Sequence, residues 1–362
     1  MSATRSVLAF TPRGHPVFSP WREALGARVP LHAAWGAAGA DLRRHFLRLA
    51  PPDFDPPRLV PLAPWGAPWR PWHQRWLRRR WPELRAVIFT RPDQAALLPA
   101  FGDVRCIYYA IDDYATYRRD WNEAEGALLA AADHVVCISQ ALAGALTSRA
   151  AGVAGKITVL PNAIPASWLP PAPPAQPSPL PENLALPRPV AGVLGRISSR
   201  LRLDWLLAAM DAAPWLHWVF VGDIEWGEVV GHDRAHLARL RRHPRCTWLG
   251  ERPFAALRDF AAALDVALLP YSERSTNPHG SAMRLFVHLP FAAPLLATPG
   301  CAQVEEFPPL VTVCDSPAAL SAALAAARAS DFNDGRRAER WQAAQAHTWE
   351  ARVAAWLPLL ES

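Results

Sequence analysis

Two groups of side chains in this sequence could do chemistry: a pair of carboxylates and a set of arginines. Asp112 and Asp113 follow the apolar run CIYYAI, which is typical of a buried strand, so both are expected at its carboxyl end. Paired carboxylates can hold a hydroxyl and take its proton. An Asp after a strand more often caps a helix or pairs with an Arg, and that alternative stays open. The arginines are Arg196, Arg200 and Arg284, each predicted at or near the start of a helix.

The loop 271–280 is one element that would position the arginines. Its sequence, YSERSTNPHG, follows a predicted strand and precedes a helix for which Ser281 is the expected N-cap. In an open parallel sheet, ligands bind just outside the carboxyl ends of the strands. We therefore expect Tyr271, Asn277, Ser281 and Arg284 to surround an anion, with free helix N–H groups and the guanidinium converging on a diphosphate.

A tight turn at Gly195 is a second positioning element. It lies between a predicted strand over 190–194 and a helix from about Leu201. Glycine permits close backbone approach, and Arg196, Ser198 and Arg200 would add donors that suit a pyrophosphate. For Arg200 the alternative is a solvated charge on a helix face.

Short apolar runs alternate with helical stretches along most of the chain, which predicts an α/β fold with doubly wound parallel sheets. Residues 166–188 contain so many prolines that we expect an extended linker there. The predicted organisation is an N-terminal domain over 1–165, this linker, a C-terminal domain over 189–345 and a final helical segment over 346–362.

The composition bounds the class of protein. The chain has 362 residues, enough for two ordinary domains, and a formal net charge of +6 that comes from Arg, since Lys156 is the only lysine. The sequence shows no apolar run of membrane-spanning length and no export signal, so a cytoplasmic location is expected. Five scattered cysteines indicate reduced core thiols, and no metal-binding cluster is predicted.

A stretch over 64–85 combines tryptophans with arginines. A helix there could lie on an anionic membrane with Trp69, Trp72 and Trp76 at the interface and Arg78, Arg79 and Arg80 on the head groups. The alternative, which we weigh somewhat higher, is a helix that packs its tryptophans on the domain and leaves its arginines in water. Nucleic-acid binding is disfavoured, because no recognition module accompanies the stretch.

The segments DVALLPY and SAMRLFVHLPFAAPLLAT resemble the donor-binding region of GT-B glycosyltransferases of the family 4-like group. Arg284 takes the place of that family's basic residue, and Pro294 and Thr298 match its closing Pro and Thr. The opening at Gly195 and the Asp-Asp-Tyr at Asp112 are also similar to the family. Val287 departs from it, because the family has a ribose-binding Glu there.

The resemblance implies two Rossmann-like domains that face each other across a cleft, with the acceptor on the first and a sugar nucleotide on the second. It adds Asp223 and Glu251 as donor-side residues, although a surface ion pair of Glu251 with Arg252 is equally weighted. It favours His288 as a substitute partner for the ribose, ahead of a deoxyribose donor or lost activity. Asp112 and Asp113 are the expected catalytic residues.

We accordingly expect a glycosyltransferase that moves a sugar from a nucleoside-diphosphate sugar to a glycan or lipid-linked acceptor in cell-surface polysaccharide biosynthesis. Transfer is expected to need no metal ion or cofactor and to retain the anomeric configuration. The expected location is the cytoplasm, with peripheral contact at the inner face of the cytoplasmic membrane as a further expectation. The alternatives are a non-catalytic sugar-nucleotide or glycan-binding protein and a sugar-nucleotide epimerase of the same fold.

Overall fold

A computed structural model describes residues 5–11, 17–37, 59–61, 75, 77–116, 121–291 and 293–361. The chain divides into two compact units, one formed by Met1–Pro161 with Trp349–Ser362 and the other by Asn162–Thr348. Each unit contains one sheet whose strands pair in parallel. The predicted α/β architecture with two doubly wound parallel sheets is therefore confirmed.

The first unit has a seven-stranded sheet in the order β3-β2-β1-β4-β5-β6-β7. The strands are β1 Ser6–Phe10, β2 Leu31–Ala37, β3 Leu59–Pro61, β4 Leu84–Phe89, β5 Arg105–Ala110, β6 His134–Cys137 and β7 Ile157–Val159. The central strands are apolar on both faces, as expected for a parallel sheet covered on two sides. The order reverses between β1 and β4, and β5 is the next strand beyond β4.

Three helices follow strands of the first unit. They are α1 Phe18–Gly26, α2 Trp121–Ala131 and α3 Gln140–Arg149. Ser139 is the N-cap of α3, and its hydroxyl accepts a hydrogen bond from the backbone N–H of Leu142 at 3.0 Å.

The second unit has a six-stranded sheet in the order β10-β9-β8-β11-β12-β13. Its strands are β8 Val190–Leu194, β9 His217–Val221, β10 Cys246–Gly250, β11 Val266–Leu269, β12 Leu295–Ala297 and β13 Val311–Val313. Its helices are α4 Leu203–Ala212, α5 Asp233–Arg242, α6 Leu257–Ala262, α7 Met283–His288, α8 Pro317–Ala329 and α9 Arg337–Ala346. The order reverses between β8 and β11, which is the point where such sheets bind ligands.

The proline-rich segment 166–188 belongs to the second unit and packs along it. Trp168 is 4% exposed and stacks on Phe254 with a ring-centroid distance of 5.0 Å. Arg188 forms an ion pair with Asp265 at 2.9 Å. The segment therefore differs from the extended linker expected from its prolines. Prolines prevent a helix or a central strand, but they do not prevent neighbouring apolar and charged side chains from anchoring the chain to a surface.

The last helix, α10 Trp349–Glu361, belongs to the first unit. Trp356 is fully buried, and its ring centroid lies 5.1 Å from that of Trp21 and 5.0 Å from that of Tyr109. Aromatic contacts of this size dominate the packing of a small core. The C-terminal segment is thus part of the core of the first unit.

Candidate functional site

The carboxyl ends of β8 and β9 lie side by side, next to the point between β8 and β11 where the strand order of the second unit reverses. Gly195 follows β8 with a φ of +92°, a left-handed conformation that favours glycine. Gly222 follows β9, and a Cβ atom there would stand 2.1 Å from the carbonyl oxygen of Gly195. Only a residue without a side chain allows the two loops to approach this closely. This edge of the sheet is where the sequence predicted an anionic ligand.

Arg284 lies on α7, and its guanidinium reaches the loop around Gly195. Its Nε donates to the carbonyl oxygen of Leu194 at 2.7 Å, and its Nη2 donates to the carbonyl oxygen of Arg196. The guanidinium carbon lies 5.3 Å from the ring centroid of Tyr271. These two hydrogen bonds use only part of the five N–H donors of the guanidinium, so donors remain available. The fold thus fixes a half-buried cation with donors to spare at the end of β8.

The start of α7 is closed by neighbouring groups, which corrects the expectation of free N–H donors there. The side-chain oxygen of Gln303 accepts from the backbone N–H of Ala282 at 2.7 Å and from the hydroxyl of Ser281 at 2.8 Å. The backbone N–H of Arg284 donates to the Tyr271 hydroxyl at 3.3 Å. Ser281 is not the N-cap of the helix, because Ala282 holds that position. An anion at this edge would therefore contact the Arg284 side chain rather than helix amides.

Three other predicted donor residues are used inside the fold. Arg200 donates to the side-chain oxygen of Asn277 at 3.1 Å and to the hydroxyl of Thr276 at 2.9 Å. The amide of Asn277 donates back to the carbonyl oxygen of Arg200 at 2.7 Å. Ser198 is buried and donates to Glu228 at 3.1 Å. These contacts join the loops after β8, β9 and β11. All three residues therefore hold the site in shape. Ser198 and Asn277 are buried, so they offer no exposed donor to a ligand, whereas the half-buried Arg200 stays a predicted donor-binding residue.

Arg196 and Asp223 keep exposed side chains at this edge. Arg196 pairs with Glu225 at 3.2 Å, with 65% and 41% of the two side chains exposed. An ion pair so open to water is weak, so Arg196 can exchange its partner for a ligand at little cost. The backbone N–H of Ile197 donates to the carbonyl oxygen of Asp223 at 2.9 Å, which fastens the Asp223 loop beside Arg196.

Glu251 is exposed at the end of β10. The surface ion pair that we weighed for it is absent, because Arg252 pairs with Glu182 at 2.6 Å instead. The backbone N–H of Gly222 donates to the carbonyl oxygen of Gly250 at 2.8 Å. This bond places the start of the β10 loop, and with it Glu251, next to the start of the β9 loop.

His288 does not replace the carboxylate that the resemblance places at Val287. The His288 side chain is 1% exposed, and neither ring nitrogen has a hydrogen-bond partner among the described residues. Burial, with a smaller contribution from the Arg284 charge, lowers the pKa of His288 from 6.5 to about 3. A ring enclosed in this way cannot contact a ribose, so the expectation for His288 was wrong. Val287 is also buried in the core.

Two supporting residues of this edge were missed by the sequence analysis. Gln303 closes the start of α7, and Glu228 accepts from Ser198. Neither follows a predicted strand directly, and each contacts a residue far away along the chain. No local pattern in the sequence signals such contacts.

The two candidate catalytic carboxylates of the first unit have different surroundings. Asp113 is fully buried and forms an ion pair with Arg149 at 2.6 Å. Asp112 is half-buried, and its side-chain oxygen accepts from the backbone N–H of Asp113 at 3.1 Å. Asp113 therefore takes the role of an Arg partner, the alternative considered for these residues. Only Asp112 retains a carboxylate near solvent.

Arg149 connects Asp113 to a second buried acid. Its Nη1 lies 3.4 Å from a carboxylate oxygen of Glu125, whose other oxygen accepts from the Tyr108 hydroxyl at 2.9 Å. Burial raises the pKa of Glu125, and burial together with the Glu125 charge raises the pKa of Tyr108. One guanidinium thus compensates two buried carboxyl groups beside the end of β5.

The tryptophan and arginine stretch is only partly described. Trp69, Trp72 and Trp76 lie outside the described residues. Arg78 forms an ion pair with Asp103, and Arg79 and Arg80 are exposed. The interfacial role of this stretch remains a prediction.

No helix within the described ranges is long and apolar enough to cross a bilayer. The same ranges contain no group of three or more His, Cys, Asp or Glu side chains placed to hold a metal ion.

Comparison with known proteins identifies the fold. The structure is similar to that of HepE from Anabaena in complex with UDP and glucose, with a TM-score of 0.73 and 16% identity over 98% of this chain and 99% of that chain. The chain has the GT-B fold. It is also similar to sucrose-phosphate synthase from Thermosynechococcus elongatus, with a TM-score of 0.69 and 16% identity over 98% of each chain. A scan of protein-family models and a search of curated proteins give no match to the sequence.

A third similar structure is a putative UDP-N-acetylglucosamine 2-epimerase from Listeria monocytogenes. Its TM-score is 0.57, with 10% identity over 99% of this chain and 96% of that chain. Since transferases and an epimerase share this fold, the choice between activities depends on the side chains of the site.

Proposed function

We propose that this protein is a glycosyltransferase that uses a nucleoside-diphosphate sugar as donor. The observation that carries the proposal is the placement of Arg284, which the fold holds against the Gly195 loop at the reversal point of the sheet with N–H donors to spare. A cation fixed at this point suits the diphosphate of a sugar nucleotide. HepE, of the same fold, has been determined with UDP and with UDP-glucose.

Arg284 and Arg196 would stabilise the nucleoside diphosphate as it leaves. Negative charge grows on the diphosphate when the bond between the anomeric carbon and its phosphate oxygen breaks. Arg284 is already oriented by two carbonyl oxygens, so little reorganisation is needed when that charge appears. Arg196 would leave Glu225 and join the diphosphate. We propose that these two cations stabilise the departing diphosphate without a metal ion.

Asp112 is the candidate for activation of the acceptor. Its half-exposed carboxylate could orient an acceptor hydroxyl and take its proton while the hydroxyl oxygen bonds to the anomeric carbon. Asp113 would act as a positioning residue, because its backbone N–H fixes the Asp112 carboxylate. We further propose that the acceptor is a glycan or a lipid-linked intermediate of cell-surface polysaccharide synthesis, that the reaction proceeds in the cytoplasm, and that the anomeric configuration is retained.

Two measurements test the proposed function. Thermal unfolding in the presence of UDP-, GDP-, dTDP- and ADP-sugars should show a raised melting temperature with at least one of them, because a ligand of the native state stabilises it. With that donor, release of nucleoside diphosphate should be detectable and should be lost in Arg284→Ala and Asp112→Asn. Binding without turnover would favour a non-catalytic binding protein.

An epimerase is the second candidate, favoured by the similarity to the Listeria protein. An epimerase needs no acceptor and converts one sugar nucleotide into another. Proton NMR of the stabilising donor incubated with the protein alone distinguishes the two. A new sugar nucleotide in that mixture would support the epimerase, whereas an unchanged donor combined with acceptor-dependent diphosphate release would support the transferase.

A further inference from the structure

The side chain of Asn162 is buried, and its amide oxygen has no hydrogen-bond partner. Asn162 is the first residue of the second unit and is 6% exposed. Its Oδ1 is enclosed, and no group among the described residues donates a hydrogen bond to it. A buried acceptor that is left unpaired is unfavourable, and native structures contain few of them. The Asn162 amide therefore needs an explanation beyond the stability of the fold.

The backbone around Asn162 is firmly held. The N–H of Asn162 donates to the hydroxyl oxygen of Ser281 at 3.1 Å. Ile164, two residues further along the chain, is fully buried, and its N–H donates to the carbonyl oxygen of His347 at 3.2 Å. The amide of Asn162 is thus unpaired on a well-anchored segment, and a loose backbone is not the reason for it.

The contact with Ser281 places Asn162 beside the candidate donor site. Ser281 precedes Arg284 by three residues, so the two are about one helical turn apart at the start of α7. The Ser281 hydroxyl and the backbone N–H of Ala282 both donate to Gln303. These groups are used by the fold. The Asn162 amide is the nearby polar group whose oxygen is not.

The chemistry of the amide indicates the kind of ligand. Oδ1 only accepts hydrogen bonds, and an ionised diphosphate has no hydrogen to donate to it. A sugar hydroxyl can donate to Oδ1 and can also accept from the N–H groups of the same amide. In a sugar nucleotide the sugar is bonded directly to the diphosphate, so a diphosphate held by Arg284 would bring sugar hydroxyls to the start of α7.

We propose that Asn162 binds a hydroxyl of the donor sugar and makes the protein selective for it, an inference that rests on the proposed function of Arg284. Because Oδ1 has no partner to lose, a change of side-chain rotamer that turns it toward the sugar breaks no hydrogen bond. A donor that lacks this hydroxyl leaves the amide unpaired. Sites built to hydrogen-bond a hydroxyl reject such analogues.

Binding of UDP and of UDP-glucose by the full-length protein tests this inference, with the matching pair of another base if the thermal screen selects one. Asn162→Ala should bind UDP as the wild type does and UDP-glucose about 10-fold more weakly, the loss expected for one hydrogen bond to a desolvated amide. The melting temperature should not fall, because the substitution removes an acceptor that has no partner. Isothermal titration calorimetry without an acceptor measures both affinities.

Asn277→Ala is the matched comparison. Asn277 is also a buried asparagine of the second unit, but its amide makes three hydrogen bonds to other residues. Its loss should lower the melting temperature and weaken UDP and UDP-glucose alike. Deoxy analogues of UDP-glucose identify the hydroxyl. The analogue that lacks it should bind the wild type about 10-fold more weakly, and Asn162→Ala should weaken its binding no further.

The outcomes separate this inference from the proposed function. If Asn162→Ala binds UDP-glucose as tightly as the wild type, the inference is wrong and the proposed function stands. Equal weakening of UDP and UDP-glucose would also overturn the inference, since Asn162 would then support the fold or contact the nucleoside. If the wild type binds no nucleotide of the screen, the proposed function fails and this inference fails with it.

Discussion

The guanidinium of Arg284 hydrogen-bonds to the carbonyl oxygens of the two residues that flank Gly195. The contact joins α7 to the end of β8 and the loop after it, and it fixes a cation where the strand order reverses. A guanidinium can make both bonds at once because its donors form a planar fork, which an ammonium group lacks.

Replacement of Arg284 by Lys should therefore weaken nucleotide binding even though the charge is kept. The lysine would lose the two carbonyl contacts that orient the cation, and we expect UDP or the stabilising nucleotide to bind about 10- to 100-fold more weakly. Isothermal titration calorimetry measures the change. Arg274→Lys, at an exposed position of the preceding loop, is the control and should bind as wild type. Equal nucleotide affinities of the wild type, Arg284→Lys and Arg274→Lys would show that Arg284 does not contribute to nucleotide binding.

The two neighbouring aspartates should respond differently to the same substitution. Asp113→Asn removes the buried partner of Arg149 and should lower the free energy of unfolding of the first unit by about 3–5 kcal/mol. Asp112→Asn should leave stability near wild type and abolish turnover. Urea unfolding and a diphosphate-release assay make the comparison. If Asp112→Asn keeps full activity while it folds normally, Asp112 has no catalytic role.

The buried imidazole of His288 should make stability depend on pH. An unfolded histidine titrates near 6.5, and the folded pKa is about 3. Between these values only the unfolded state takes up a proton, so the contribution is fully present above pH 6.5 and is lost as pH falls, by about 1.4 kcal/mol per unit. His288→Leu should reduce the loss between pH 6.5 and 5.5 by about 1 kcal/mol in urea titrations, because the limiting slope is reached only below the unfolded pKa. An unchanged slope would mean that His288 is not buried as a neutral ring.

Two glycines of one loop should differ in their tolerance of alanine. A Cβ at Gly222 would meet the Gly195 carbonyl oxygen at 2.1 Å, whereas a Cβ at Gly227 would have no atom within 4 Å. We expect Gly222→Ala to cost about 1–3 kcal/mol of stability and to weaken nucleotide binding, because the β8 loop must move. Gly227→Ala should be neutral in both. Thermal unfolding with and without nucleotide provides the measurement, and equal behaviour of the two variants would contradict the packing described.

Two tryptophans provide a similar contrast between burial and exposure. Trp356→Ala removes a fully buried ring from the core of the first unit and should cost about 3–5 kcal/mol. Trp226→Ala removes a half-exposed ring from the second unit and should change stability by less than about 0.5 kcal/mol. Equilibrium unfolding of both variants in guanidinium chloride measures these changes in the free energy of unfolding. A stable Trp356→Ala protein would show that α10 is not needed in that core.

The sequence predicted the parts of the fold that are periodic. β5, β8 and β11 were predicted, because each is a short apolar run. β2 and β3 were not, since their Ala- and Pro-rich surroundings contain no clear alternation. The segment 166–188 was predicted as a linker because proline restricts the backbone, yet packing of Trp168 depends on Phe254 far along the chain. Local patterns contain no information about such contacts.

The candidate site was predictable in place but not in detail. The loops after β8 and β11 were located from strand and helix patterns, and Gly195 and Arg284 do meet there. The sequence did not show which polar groups are already used by the fold. Arg200, Ser198 and Asn277 look like ligand donors by position, but each is bound to a partner on another loop. Burial of His288 also depends on the tertiary structure alone.

The assignment of α10 to the first unit has a consequence for biosynthesis. The ribosome makes residues 1–161 first, but the helix that supplies Trp356 emerges only after the entire second unit. Until then the faces of Trp21 and Tyr109 that contact Trp356 have no cover, so the N-terminal half cannot reach its final stability while translation continues. A messenger truncated before codon 349 should thus yield a nascent chain whose early half stays prone to proteolysis and to chaperone capture.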